Sequence, residues 1–158
     1  MSALEDHIED QWWIVSYHEA GHAVALVVFD LLLHQLEIGV DGRGSSHGLT
    51  YGDVPPPDQI DDVMVTCLAG GSAELRLLHQ WGWSRRAAEA HARAGAQTDM
   101  ANAAALERRI GLSLDEAERE AVDLVDEYWA AIEEVAEAIR ENNGYLSGAD
   151  CEAIVREY

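Results

Sequence analysis

The sequence predicts a mostly helical fold with one small β-hairpin and edge-strand region near residues 36–54, and two observations support this class. Over most of the chain, apolar residues recur at spacings of three and four, the period of a helix that buries one face. Leu36, Ile38 and Val40 instead alternate with polar residues, as in a half-buried strand. Because 48% of the 158 residues are apolar, the chain can bury one core, and we expect a single domain over residues 1–158.

The first helix is predicted from about Glu9 to Leu33. Its apolar residues occupy more than one face, so we expect it to be buried all round. The following segment, HQLEIGVDGRGSSHGLTYGDV, changes from helical spacing to alternation. We interpret it as a strand, a loop formed by DGRGSSHG and a second strand, LTYGDV, which ends at Pro55–Pro57 because proline cannot continue the hydrogen-bond ladder.

Glycines indicate where the middle helices pack and end. A second helix is predicted in DQIDDVMVTCLAGGSAELRLLHQWG, where Gly70 and Gly71 each cost about 1 kcal/mol of helix stability relative to alanine. This cost suggests close backbone packing against another element, such as the first helix. The segment SRRAAEAHARAGAQTDMANAAALERRIG predicts an interrupted helix that breaks at Gly95 and stops at Gly111.

Capping patterns predict the last helices. Ser113 followed by Glu116 is a capping-box pattern, and it predicts the start of one long helix that continues to Gly144. Ser147 is then expected to cap a short final helix.

The charge of the chain argues against several kinds of partner. Thirty acidic residues against ten basic ones give a net charge of −20, which repels phosphate backbones and anionic lipid, so we expect no nucleic-acid or membrane-surface binding. The longest apolar stretch, 23–33, is interrupted by Asp30 and is too short for a membrane span. The acidic N-terminus is not typical of a signal or transit peptide, and Cys67 and Cys151 lack paired-motif spacing. We therefore expect a cytoplasmic protein without disulfides.

The stretch SYHEAGHAVALVVFD places two histidines and a glutamate in an otherwise apolar helix. His18 and His22 are four residues apart, so their imidazoles leave the same helix face about one turn apart, as binding to one zinc ion requires. Glu19 follows the first histidine, which gives the pattern H-E-x-x-H with the glutamate as general base towards a zinc-bound water. Burying these three polar groups without a partner would be costly, so the pattern predicts a zinc site.

A catalytic zinc takes three protein ligands and a water, so a third ligand must come from elsewhere in the chain. The residues after His22 lack the glycine turn and third histidine of the metzincins. Two carboxylates are candidates: Glu74, which follows the Gly-Gly pair, and Asp99, which follows the break at Gly95. The residues alone leave both open.

Four segments together resemble a known family. YHEAGHAV, GLTYGDVP, LAGGSAELRLL and AGAQTDMANAAALERRIGLS occur in the order and approximate spacing found in the peptidase domain of FtsH-type ATP-dependent zinc proteases, the M41 peptidases. The resemblance extends from about Trp12 into the last helices, and the metal motif is its most specific part. It implies a helical zinc-peptidase domain in which 36–54 is an edge-strand region that presents the substrate backbone.

The same resemblance assigns roles to individual residues. It implies that His18 and His22 are zinc ligands, that Glu19 is the catalytic base and that Asp99 is the third ligand. Glu74 then has a role in helix packing or in supporting a ligand. Independently of the resemblance, His91 is a candidate for stabilising the oxyanion, although a surface position on a helix is its simpler interpretation.

The function implied is that of a zinc-dependent metalloendopeptidase that hydrolyses unfolded polypeptides or peptides, with assembly into a homo-oligomer, a hexamer by resemblance. Proteins of the family carry a membrane anchor and an AAA+ ATPase module ahead of the peptidase. This sequence shows no P-loop, so we expect it to lack ATP-driven unfolding unless a separate ATPase delivers the substrate. The alternative is a non-catalytic metal-binding or interaction module, derived from a peptidase, that recruits a partner such as a separate ATPase. The intact Glu19 favours the enzyme, because a scaffold has no need of a base beside the metal.

Overall fold

The computed structural model describes residues 2–52, 57–110 and 113–158. Within these ranges the fold is mostly helical with a small antiparallel sheet, so the predicted fold class is confirmed. The elements are α1 (Ala3–Val28), β1 (Leu33–Val40), β2 (Ser46–Gly52), a 3₁₀ turn (Pro57–Gln59), α2 (Ile60–Gln80), α3 (Arg85–Gly95), α4 (Gln97–Ile110), α5 (Leu114–Glu127), α6 (Trp129–Glu141), β3 (Tyr145–Ser147) and α7 (Gly148–Val155).

Helix α1 has different ends from those predicted. It begins at Ala3 because Ser2 and Glu5 form a capping box, in which each side chain accepts a hydrogen bond from the backbone amide of the other residue. It ends at Val28 rather than Leu33, since Asp30 adopts a left-handed conformation (φ 55°) and turns the chain towards the sheet. The prediction of burial all round is confirmed, because every residue of 14–25 is buried.

The sheet has the strand order β2-β1-β3, with both pairs antiparallel. The predicted β1–β2 hairpin is confirmed, but its loop is shorter than DGRGSSHG, since β2 already begins at Ser46. The Asp41 carboxylate tightens this loop by accepting hydrogen bonds from the amides of Arg43 and Ser45. Strand β3 was not predicted, because three residues are too few to show an alternating pattern. The predicted end of the hairpin at 53–56 lies outside the described residues.

Helices α1 and α2 pack with their backbones in close approach, which confirms the prediction made from the glycine pair. A Cβ atom on Gly21 would lie 2.7 Å from the carbonyl oxygen of Ala69, and one on Gly70 would overlap the imidazole of His22. Gly71 is different, since its nearest neighbour would be the Ala96 methyl group at an ordinary 3.4 Å. Gly70 therefore makes room for one of the candidate ligands.

The predicted break at Gly95 is confirmed, as α3 ends there and α4 begins two residues later. The predicted stop at Gly111 lies outside the described residues. Because the chain turns between α3 and α4, the first turn of α4 faces α1 and α2.

The last helices follow the capping prediction except at one point. Ser113 caps α5 by accepting a hydrogen bond from the amide of Glu116, and Ser147 caps α7 in the same way. The predicted single helix up to Gly144 is wrong: the backbone leaves helical geometry at Tyr128 (φ −102°, ψ 22°), which divides it into α5 and α6. No glycine or proline marks this break in the sequence.

Two apolar clusters hold these elements together. The larger one joins α1, the sheet, α6 and α7 to one side of α2, and the smaller one joins α2 to α4 and α5. Both cysteines are free, as predicted. In the part of the chain that the structure describes, no helix combines the length and apolarity needed to cross a bilayer.

Candidate metal centre

The two histidines of the H-E-x-x-H pattern lie on one face of α1, in its buried middle section. Their ring centroids are 4.9 Å apart, and the Nε2 atoms of His18 and His22 are separated by 3.2 Å. Both Nε2 atoms therefore point to one place, as the four-residue spacing predicted.

Asp99 completes the cluster from the first turn of α4. Its Oδ2 atom lies 3.0 Å from His18 Nε2 and 3.1 Å from His22 Nε2. These two nitrogens and one carboxylate oxygen form a group of side chains that could hold a metal ion. The structure thus brings together residues that are far apart in sequence.

The other ring nitrogen of each histidine has a buried hydrogen-bond acceptor. His18 Nδ1 donates to Glu74 Oε2 over 2.9 Å, and His22 Nδ1 donates to the backbone carbonyl of Thr66 over 2.7 Å. When the rings are neutral, these contacts favour the tautomer that carries its proton on Nδ1, which leaves the Nε2 lone pairs directed at the cluster. The contact of Thr66 could not be found from the sequence, because any residue type supplies a backbone carbonyl.

The charges in the cluster favour a cation between the side chains. Burial lowers the pKa of His18, but hydrogen bonds to the carboxylates of Asp99 and Glu74 outweigh burial and raise this pKa to about 10. Burial raises the pKa of the Asp99 carboxyl, but the hydrogen-bond contacts and charge interactions with His18 and His22 outweigh burial and hold this pKa well below its ordinary value. A proton on His18 offsets part of the negative charge of these carboxylates, and a divalent cation at the same place would do so as well.

Glu74 does not belong to the cluster of donor atoms, although it was a candidate for the third ligand. Its carboxylate contacts the Nδ1 side of the His18 ring, away from the two Nε2 atoms. Its second oxygen, Oε1, accepts a hydrogen bond from His91 Nδ1 over 2.7 Å. Burial raises the pKa of Glu74, but the hydrogen bonds from His18 and His91 outweigh burial and lower it.

Glu19 lies beside the cluster and is held by strand β2. Thr50 Oγ1 donates a hydrogen bond of 2.6 Å to Glu19 Oε2. Gly48 allows this approach, because a Cβ atom there would lie 2.5 Å from Glu19 Cγ. Thr50 lies in the predicted second strand and Gly48 ends the predicted loop before it, and no sequence pattern indicated that either residue contacts Glu19.

A cavity of about 630 Å³ contains the cluster and Glu19. It runs along β2 and α1, which point in the same direction: Ser46 lies near Gln11 at one end, and Gly52 lies near Leu26 at the other. The exposed side chain of His47 borders the cavity. An open cleft that follows a strand can accommodate an extended chain.

This arrangement places two imidazoles, one carboxylate and a separate buried carboxylate around one open cavity. Chemically, it can hold a divalent cation and a proton acceptor next to each other. No protein-family model matches the chain, and no curated sequence is significantly similar to it.

Proposed function

We propose that this chain is a zinc-dependent metallopeptidase, similar to the M41 peptidases, that hydrolyses unfolded polypeptides or peptides. The observation that carries the proposal is the convergence of His18 Nε2, His22 Nε2 and Asp99 Oδ2 within 3.0–3.2 Å of one another. Glu19 stands beside them in the same cavity.

The donor set fits zinc in type and in spacing. Two ligand atoms of a tetrahedral zinc ion lie about 3.3 Å apart, so the three donors need to move by only a few tenths of an ångström. Three protein ligands that include two histidines leave one position for water or substrate, as in catalytic zinc sites. A zinc ion held by these residues would act as a Lewis acid on a carbonyl oxygen and lower the pKa of a bound water.

Glu19 is proposed as the proton acceptor of the reaction. Its carboxylate would take a proton from the attacking water and give it to the leaving amine. The Thr50 hydroxyl holds this carboxylate from a different element, so the base keeps its position while its protonation state changes.

Strand β2 is proposed to bind the substrate backbone. Within the described residues it pairs with β1 on one side only, and residues along its length line the cavity that contains Glu19. An extended polypeptide that adds to this edge would form main-chain hydrogen bonds without regard to its side chains. This mode of binding suits unfolded polypeptides of varied sequence.

The proposal is tested by metal content and proteolysis measured on the same preparations. We expect about one zinc per chain, hydrolysis of unfolded casein that stops on addition of a chelator, and a Glu19→Gln variant that keeps its zinc. Loss of a general base lowers the rate by about 10² to 10⁴-fold. If the native protein binds zinc but cleaves nothing that the Gln variant leaves intact, the chain is a non-catalytic metal-binding module instead.

A further inference from the structure

One more titratable side chain borders the cavity without belonging to the cluster or to the proposed base. His91 lies on α3, on the helix face that also carries the buried Ala88 and Ala92. Gly95 continues this face one turn later and lies beside the Glu74 carboxylate. The inward face of α3 therefore positions His91 against α2.

The Glu74 carboxylate connects His91 to the cluster. Glu74 is only 2% exposed, and its two oxygens accept hydrogen bonds from two imidazoles, His18 through Oε2 and His91 through Oε1. Both contacts use Nδ1, so each ring has its Nε2 atom on the side away from Glu74. For His18, that atom is the proposed zinc donor.

The His91 ring is oriented but not enclosed. Trp83 contacts it edge to face, with the ring centroids 5.5 Å apart, and Glu74 fixes its Nδ1 atom. About a third of its side chain (32%) is still accessible to solvent. A histidine that served only to satisfy Glu74 could be fully buried, whereas this one borders the cavity and its Nε2 atom has no hydrogen-bond partner among the described residues.

The hydrogen bond to Glu74 also raises the pKa of His91, and burial opposes this only in part. Because the protonated ring carries a hydrogen on both nitrogens, this shift favours the form in which Nε2 is a donor. Backbone carbonyl oxygens of a polypeptide are acceptors, so they match it chemically.

We propose that His91 is a substrate-contacting residue, whose Nε2 atom donates a hydrogen bond to a backbone carbonyl oxygen of the bound polypeptide. The inference rests on the proposed peptidase function. One buried carboxylate, that of Glu74, then orients both a metal ligand and a group that binds substrate.

The test measures binding without cleavage. In zinc-loaded Glu19→Gln protein, the affinity for a fluorescein-labelled casein peptide that the native enzyme cleaves is compared with and without His91→Phe, and zinc content is measured on each sample. A hydrogen bond from a charged donor corresponds to about 10-fold or more in affinity, so we expect at least that loss with zinc unchanged. His91→Gln should recover part of the affinity, because its amide can donate. His79→Phe is the matched control, since His79 is an exposed histidine at the end of α2.

The outcomes separate the two proposals. Peptide affinity of the His91→Phe protein equal to that of its parent overturns the role of His91 while leaving the peptidase intact. Loss of zinc in His91→Phe also overturns it, because His91 would then act on the metal through Glu74. If the native protein cleaves no peptide and the zinc-loaded parent binds none, the peptidase function itself is wrong, and the role of His91 with it.

Discussion

Helices α1 and α4 contribute to one cluster from different surroundings. The middle of α1 is buried on every side, and the side chains of His18 and His22 are each 10% exposed. The Asp99 side chain is 24% exposed, and Ala103 is the one fully buried residue among the side chains of α4 that the structure describes. The histidines are thus placed by the core, whereas the carboxylate depends on how α4 packs against α2.

The two kinds of proposed ligand therefore depend on different parts of the fold. The positions of His18 and His22 are determined by local helix geometry and by two hydrogen bonds to α2. The position of Asp99 is determined by the chain break at Gly95 and by electrostatic attraction to the two histidines. Variants on the two sides should therefore affect metal binding in different ways.

The largest effect on zinc affinity is expected from removing the Asp99 carboxylate. Asp99→Ala should weaken zinc binding more than Glu74→Ala, because only Asp99 lies among the donor atoms. Loss of a residue that only orients a ligand, as Glu74 does for His18, costs about 10- to 100-fold in affinity. Zinc affinity is measured by chelator competition. Retained zinc in Asp99→Ala, with loss in Glu74→Ala, would show that the ligand assignment is wrong.

A second test acts on the α1 side without touching a proposed ligand. Gly70→Ala places a methyl group against the His22 imidazole, so the ring must move and zinc affinity should fall by about 10-fold, the lower end of the loss seen when a ligand is misoriented. Gly71→Ala is the matched control, because its Cβ has room, and it should raise stability by up to about 1 kcal/mol. Chelator competition and thermal unfolding distinguish the two. Equal zinc affinity in both variants would contradict the proposed role of Gly70.

A smaller effect, on the hydrolysis rate, is expected from a change beside Glu19, the proposed base. Thr50→Val removes the hydroxyl that donates to Glu19 Oε2 but keeps the side-chain shape, so zinc content should stay unchanged and the hydrolysis rate should fall by about 10-fold, equivalent to one hydrogen bond to a charged group. Ser72→Ala serves as the control, because within the described part of the chain its hydroxyl bonds only to the backbone of its own helix. A Thr50→Val protein with the native rate would mean that β2 does not position the base.

The smallest expected effect is on stability at high pH, and it concerns the face of α1 that points away from the cavity. Tyr17 packs against Trp13 and Trp129, and burial, followed by the nearby charges of Glu133 and Glu137, raises its pKa to about 12. Because this value lies above the unfolded pKa of about 10, stability is fully present below pH 10 and falls as the pH rises towards 12.

Urea unfolding between pH 8 and pH 11 measures this loss. Tyr17→Phe should reduce the alkaline decrease in the free energy of unfolding, while zinc binding at neutral pH stays as in the native protein. A decrease of the same size in both proteins would show that Tyr17 does not cause it.

The sequence predicted the parts of the site that depend on local spacing. The pairing of His18 with His22 follows from helix periodicity, and the close approach at Gly70 follows from the cost of glycine in a helix. The choice between Glu74 and Asp99 did not follow from the residues, because both depend on packing between distant segments; only the family resemblance favoured Asp99. The hydrogen bond from Thr50 depends on strand register against α1, which no short pattern encodes.

Errors in the predicted fold have similar causes. The apolar residues 31–33 extended the predicted α1, since apolar composition does not distinguish a buried helix end from the start of a buried strand. Asp30 was the available signal, as aspartate tolerates the left-handed conformation that ends the helix. The break at Tyr128 has no such signal in the sequence.

The partners of the two α1 histidines differ in how they respond to mutation. His22 is oriented by the main chain at Thr66, and a main-chain oxygen survives replacement of the residue that carries it. His18 is oriented by the carboxylate of Glu74, which substitution removes. In a library randomised at both positions and selected for activity, helix-compatible residues of several types should persist at 66, while 74 should return to glutamate. Under genetic drift, the orientation of His22 is therefore robust, whereas the orientation of His18 is lost when Glu74 is replaced.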